Sequence, residues 1–207
     1  MIKHAGFEYL VERKHMEKIV YNMHHIIPKC TPIMLDCIVK RALYKVKNSE
    51  EDKSKWIRIM EGDIERIGET RCTITYKDRK RDMSSEAYAL LKVDNFEDAT
   101  HLFEVLQYEH VSYQENKRSK FVCVLDNVKY IVRFDIWPKI EDIVFVGIDV
   151  ASSTKEDDVD GFLTALGIKT LVDDSYLVDV DNEYKKRIGK AASEIPIITF
   201  EFFSPIE

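Results

Sequence analysis

The sequence predicts an α+β fold: an antiparallel β-barrel or sheet with helices packed outside it. Three observations predict this. Short segments such as Trp56-Ile57-Arg58-Ile59-Met60 and Thr73-Ile74-Thr75-Tyr76-Lys77 alternate polar with apolar residues, and a strand sends alternate side chains to opposite faces. Asp126-Asn127 separates two strand-like runs, the mark of a tight hairpin. No Gly-rich loop joins a strand to a helix, so parallel βαβ repeats have little support.

The elements follow in order. Residues 7–14 read as an opening strand and His15–Ile27 as a helix, after which Pro28 and Pro32 break the chain. Ile33–Val46 is β-branched and aromatic enough for a strand. The charged run 48–54 reads as a solvated hairpin tip. Strands follow over Lys55–Met60 and Arg71–Arg79, joined by the acidic stretch Glu61–Glu69, and then over Glu86–Val93. Asp94-Asn95 can cap a helix over Phe96–Leu106, with Phe96, Ala99, Leu102, Phe103 and Leu106 as its apolar stripe. Lys117–Leu125 and Lys129–Ile136 form the hairpin strands. Ile143–Val150 is apolar throughout, as a buried strand would be, and Ser152-Ser153-Thr154 offers an N-cap for a helix with stripe Val159, Phe162, Leu163 and Leu166. Gly167 stands at the expected C-cap.

A chain of 207 residues suits one domain, and the reading is a single domain over 1–207 with a core at about 7–180 and a C-terminal extension, 181–207. With 7 Gly and 5 Pro, a collagenous or largely disordered chain is excluded. The net charge of −6 gives no global footprint for nucleic acid or an anionic membrane, so neither is expected as a partner. No apolar core follows Met1, and no run approaches the roughly 18 apolar residues of a membrane span. The expected location is cytoplasmic. Cys30, Cys37, Cys72 and Cys123 show no CxxC spacing and read as buried, reduced thiols rather than zinc ligands.

Function is carried by four strand-like segments that hold basic residues in order: 56–60, 73–77, 114–118 and 133–138. Closed into a barrel, such strands make a basic lumen suited to a polyanion such as a triphosphate. Their order resembles the CYTH, or triphosphate-tunnel, proteins, and the class IV adenylate cyclase-like branch above all. The resemblance rests on Tyr113-Gln114-Glu115-Asn116-Lys117-Arg118, Phe134-Asp135-Ile136-Trp137-Pro138, Val93-Asp94-Asn95-Phe96-Glu97, Leu166-Gly167 and Ser175-Tyr176. It implies an eight-stranded antiparallel tunnel whose cations grip a triphosphate and whose glutamates hold Mg²⁺ or Mn²⁺. Multiple Arg and Lys contacts orient the phosphates, and hard cations need oxygen ligands.

The resemblance assigns phosphate binding to Arg58, Lys77 and Arg118, with Lys14, Arg79 and Arg133 beside them. Its metal ligands map onto Glu12, Glu86, Asp135 and Asp149, but most of the family's glutamates are replaced. Leu10, Tyr88, Leu90, Phe145 and Gly147 stand at or beside those places. The expected function is therefore binding of a triphosphate, nucleotide or polyphosphate, with catalysis weak or lost. Two alternatives stand beside it. One is an active metal-dependent triphosphatase or cyclase, which Glu61, Asp63 or Glu65 could also serve. The other is a protein-interaction or homodimer role for the segment Ile195–Phe203.

Overall fold

Alternation of apolar and polar residues lays down a strand first. In the computed structural model β1 (His4–Glu12) passes through a 3-10 turn, Arg13–His15, into α1 (Met16–His25). Next come β2 (Lys29–Lys45), β3 (Lys55–Glu61), β4 (Cys72–Arg79), β5 (Glu86–Val93) and α2 (Phe96–Val105). The hairpin β6 (His110–Leu125) and β7 (Val128–Ile136) turns on Asp126 and Asn127, both at positive φ as its two-residue loop requires. β8 (Ile143–Ala151), α3 (Glu156–Leu166), α4 (Val180–Ile188), β9 (Ile197–Ile198) and β10 (Phe203–Ser204) complete the order. The structure describes residues 4–46, 55–64, 72–79, 86–151, 153–171 and 179–204, with side chains 4–5, 77–79, 86–89 and 204 outside that description. The loop 48–54, Glu65, Arg71, Ser152 and Ser175-Tyr176 lie outside the described residues.

Contacts divide the chain into two units, Met1–Cys37 with Lys117–Glu183, and Ile38–Asn116 with Tyr184–Glu207. In the first, antiparallel ladders join β1 to β8, β8 to β7 and β7 to β6. One face of this sheet is apolar. Tyr9, Val11, Val132, Phe134, Val146 and Ile148 pack there with Ile19 and Met23 of α1 and Phe162 and Leu166 of α3. The Tyr130 ring stacks on Phe162 with centroids 3.8 Å apart, and its hydroxyl donates to the Asp158 carbonyl at 3.0 Å. Asn22 Nδ2 donates to the Leu166 carbonyl at 3.0 Å and so ties α1 to the end of α3. In this unit, too, the thiols of Cys30 and Cys123 meet at 3.2 Å.

In the second unit, antiparallel ladders join β2 to β3, β3 to β4 and β4 to β5. Phe96, Ala99 and Phe103 of α2 cover Ala42, Tyr44, Ile57, Ile59 and Cys72 on one face. Asn95 caps α2 as expected, its side chain accepting the Asp98 N–H at 2.7 Å. β9 runs parallel to β6 beside Tyr113 and Gln114. Ser112 Oγ donates to the Ile195 carbonyl at 2.5 Å and Gln114 Nε2 to the Ala192 carbonyl at 3.1 Å.

Several boundaries differ from expectation, each for a local reason. Pro32 lies inside β2 rather than ending it; a proline removes one N–H from a ladder but keeps an extended backbone. The N-cap of α3 is Lys155, without a side-chain cap, and three acidic residues fill its first turn instead, where the helix dipole favours negative charge. Leu102 and Leu106 are exposed, so the buried stripe of α2 is narrower than its sequence pattern. The segment Ile195–Phe203 contributes to only two short strands, which pair with each other inside the chain, β9 pairing also with β6.

Candidate phosphate-binding and charge-network site

Each sheet turns one face to its helices, so period-two geometry sends the remaining side chains the other way. In the first unit that second face is charged. Three cross-strand rows define it. Glu8 pairs with Gly147, Gly147 with Arg133, and Arg133 with Lys120. Leu10 pairs with Phe145, Phe145 with Asp135, and Asp135 with Arg118. Gly6 pairs with Asp149, and Asp149 with Ile131. Residues opposite one another on antiparallel strands have Cβ atoms roughly 5 Å apart, which is why these charges meet.

They meet as a network of two guanidiniums and three carboxylates. Arg118 donates from Nε and Nη2 to the two oxygens of Asp135 at 2.6 and 2.7 Å. Both side chains are buried, 6% and 10% exposed, and a bidentate pair of this geometry is the form in which buried charge is best tolerated. Arg133 donates to Asp149 at 3.1 Å and to Glu8 at 3.3 Å, and its Nη1 lies 3.8 Å from Asp135. Burial and the nearby Arg118 charge push the Arg133 guanidinium down. Asp149, Asp135 and Glu8 outweigh them and hold it above its ordinary value. It stays charged.

Gly147 makes room for this arrangement. A Cβ there would stand 2.6 Å from Arg133 Nη2 and 2.7 Å from its Cζ. A Cβ at Gly6 would stand 3.1 Å from Asp149 Oδ1. The guanidinium thus lies across a bare Cα, in the space a side chain at 147 would take.

The structure brings together Arg118, Arg133, Asp135 and Asp149 from the sequence expectation and adds Glu8, which that expectation passed over. Glu12 and Lys14 are exposed and pair with each other at 2.5 Å. The Lys14 hydrogen bond and charge hold the Glu12 carboxyl below its usual range. Arg58 lies on β3 in the second unit, directly opposite Thr75. Lys77 and Arg79 lie on β4, and Glu86 on β5 opposite Arg79, with their side chains outside the described residues. Asp63 lies just beyond β3, and Glu61 pairs with Lys40 at 3.6 Å. Tyr88 also has its side chain outside the description, Leu90 is exposed, and Phe145 is buried. Among the described residues, no group of three His, Cys, Asp or Glu side chains is arranged to hold a metal ion. No described helix is long and apolar enough to cross a membrane.

No protein-family profile and no curated protein sequence matches the chain. Solved structures do. The PH1819 protein of Pyrococcus horikoshii is 13% identical with a TM-score of 0.58, and the match covers 88% of this chain and all of that one (100%). An adenylate cyclase candidate from Vibrio parahaemolyticus is 12% identical with a TM-score of 0.55, over 81% of this chain and 86% of its own. A Hippeastrum protein, described as an adenylyl cyclase candidate with a dominant triphosphatase activity, is 11% identical with a TM-score of 0.54, over 91% and 97%. At these identities the likeness is one of fold.

Proposed function

We propose, from the premise that the chain has the CYTH-type triphosphate-tunnel fold, that it binds a triphosphate, nucleotide or polyphosphate without needing a metal ion, its catalysis weak or lost. One observation carries the second half of this reading: Arg133 occupies the place above Gly147 among Glu8, Asp135 and Asp149. The resemblance puts a metal-binding glutamate at position 147. Here a side chain at 147 would displace the guanidinium.

The fit of a divalent ion to these residues is poor. Both oxygens of Asp135 already accept from Arg118 and both of Asp149 accept from Arg133. A further dication would lie beside two fixed guanidiniums, against strong repulsion in a buried site. The first half of the reading is supported by the fold and by Arg58, with Lys77 and Arg79 on the neighbouring strand. Such cations neutralise and orient phosphoryl oxygens as charge-assisted hydrogen-bond donors.

Calorimetric titration with inorganic tripolyphosphate, with and without chelator, tests this. Equal affinity in both conditions is expected, with losses of roughly tenfold or more for Arg58→Ala and Lys77→Ala, since a charge-assisted hydrogen bond is worth about 1.5–3 kcal/mol. A second reading, an active triphosphatase or class IV-type cyclase, draws on the three carboxylates gathered around Arg133. Release of phosphate or cyclic nucleotide that depends on Mg²⁺ or Mn²⁺ would replace the first reading with this one.

A further inference from the structure

The second unit has its own row of polar residues on the sheet face away from α2, and its chemistry differs from that of the first. One face of β2–β5 packs on α2 through Ala42, Tyr44, Ile57, Ile59 and Cys72. The opposite face carries Arg41 and Leu43 on β2, Arg58 and Met60 on β3, Thr73 and Thr75 on β4, and Leu90 and Lys92 on β5. The ladders set Leu43 beside Arg58, Arg58 beside Thr75 and Thr75 beside Leu90. The next row sets Arg41 beside Met60, Met60 beside Thr73 and Thr73 beside Lys92. Among the side chains just named there is no carboxylate.

Thr73 and Thr75 are 2% and 3% exposed, and the Oγ1 of each has no hydrogen-bond partner. A buried hydroxyl left unpaired costs about 1–3 kcal/mol, so native chains rarely keep one. Two of them, at i and i+2 on one strand, project the same way. Valine has nearly the shape of threonine and would fill the same space without that cost. Hydroxyls kept here therefore point to an acceptor that arrives from outside the fold. With Arg58 opposite Thr75 and Arg41 across Met60 from Thr73, that acceptor carries negative charge, and a tetrahedral oxyanion offers several lone pairs to hydroxyl and guanidinium donors at once.

We infer that Thr73 and Thr75, with Arg58 and Arg41, form a subsite for one phosphoryl group of the ligand. This rests on the phosphate-binding function proposed above and deepens it, because three of these four residues were assigned no role there. The guanidiniums supply the charge and paired donors; each hydroxyl donates one hydrogen bond and adds direction. Met60 lies between Arg41 and Thr73 and closes the floor of the subsite with an apolar side chain.

Titration with inorganic tripolyphosphate, paired with thermal unfolding, tests the subsite on wild type, Thr73→Val, Thr75→Val, Thr75→Ser and Arg41→Gln. Each Val variant is expected to unfold at the same or a higher temperature than wild type, yet to bind about tenfold more weakly. Thr75→Ser, which keeps the hydroxyl, retains affinity, and Arg41→Gln loses it. Binding by the Val variants at wild-type strength overturns the subsite and leaves the proposed function standing. A lower unfolding temperature in both Val variants would mean that the hydroxyls have partners inside the fold, and overturns it too. A wild type that takes up no tripolyphosphate overturns both.

Discussion

Gly147 is a residue whose importance lies in what it lacks. Its missing Cβ leaves the space that Arg133 fills, so Gly147→Ala should force the guanidinium out of its contacts with Asp149 and Glu8. Chemical denaturation should register a loss of about 1–3 kcal/mol, the usual cost of overpacking. In an Arg133→Met background the same substitution should cost much less; equal costs in the two backgrounds would show that the guanidinium is not what Gly147 accommodates. The cysteines make a second test at this scale. Cys37 is exposed, whereas burial pushes the Cys72 thiol up to about 11 and drives Cys123 higher still. Because the thiolate is the nucleophile, a thiol reagent at neutral pH should label Cys37 quickly and Cys72 and Cys123 only on unfolding. Mass spectrometry after brief labelling reads this directly. Individual residues were only partly legible in the sequence. Period two put Arg133 and Asp135 on one face of their strand, but Glu8 and Glu12 share a parity. Only the register of β1 against β8 shows that Glu8, and not Glu12, lies in the row with Gly147 and Arg133. Thr73 and Thr75 were visible beside Lys77, yet nothing in a sequence tells a paired hydroxyl from an orphaned one.

Strands and helices were more legible, because periodicity is a local property. The hairpin of β6 and β7, the strand β8, the capped start of α2 and the glycine end of α3 all follow from residues within a few positions of each boundary. The C-terminal segment was harder, since alternation between Ile198 and Phe202 cannot say which edge a strand will find. In the structure Ile197 and Ile198 pair with Tyr113 and Gln114, and the carbonyls of Ala192 and Ile195 satisfy two buried side chains, Gln114 and Ser112. Ending the chain at Glu194 removes the Ile195 carbonyl and the β9 pairing, and should therefore lower the unfolding midpoint by several degrees, in keeping with a loss of about 1–3 kcal/mol for the buried Ser112 hydroxyl left unsatisfied. Light scattering of that variant should give the same number of copies per particle as the full chain. A change in that number with no change of stability would assign the segment to an interface between copies instead.

For the whole molecule, fold class was readable where function was not, since the order of strands and helices rests on many residues and a site on a few. The expected α+β antiparallel architecture agrees with the ladders found in both units and with the fold shared by the solved structures. The proposed binding carries an expectation at the same scale. If affinity comes from cations, tripolyphosphate should bind more weakly as salt rises, because screening shortens the reach of charge to about 8 Å at physiological ionic strength. Titrations across a salt series measure this, and an affinity indifferent to salt would point to an uncharged mode of recognition. The two units are also interleaved along the chain. Residues 1–37 and 117–183 alternate with 38–116 and 184–207, and the exchanges at 37/38 and 116/117 fall inside the continuous strands β2 and β6. Neither unit can then be released by one proteolytic cut or inherited as one exon-like block. Each needs chain ends far apart in sequence, a slow class of search in folding, so a nick within β2 or β6 should disable both units together rather than free a working half.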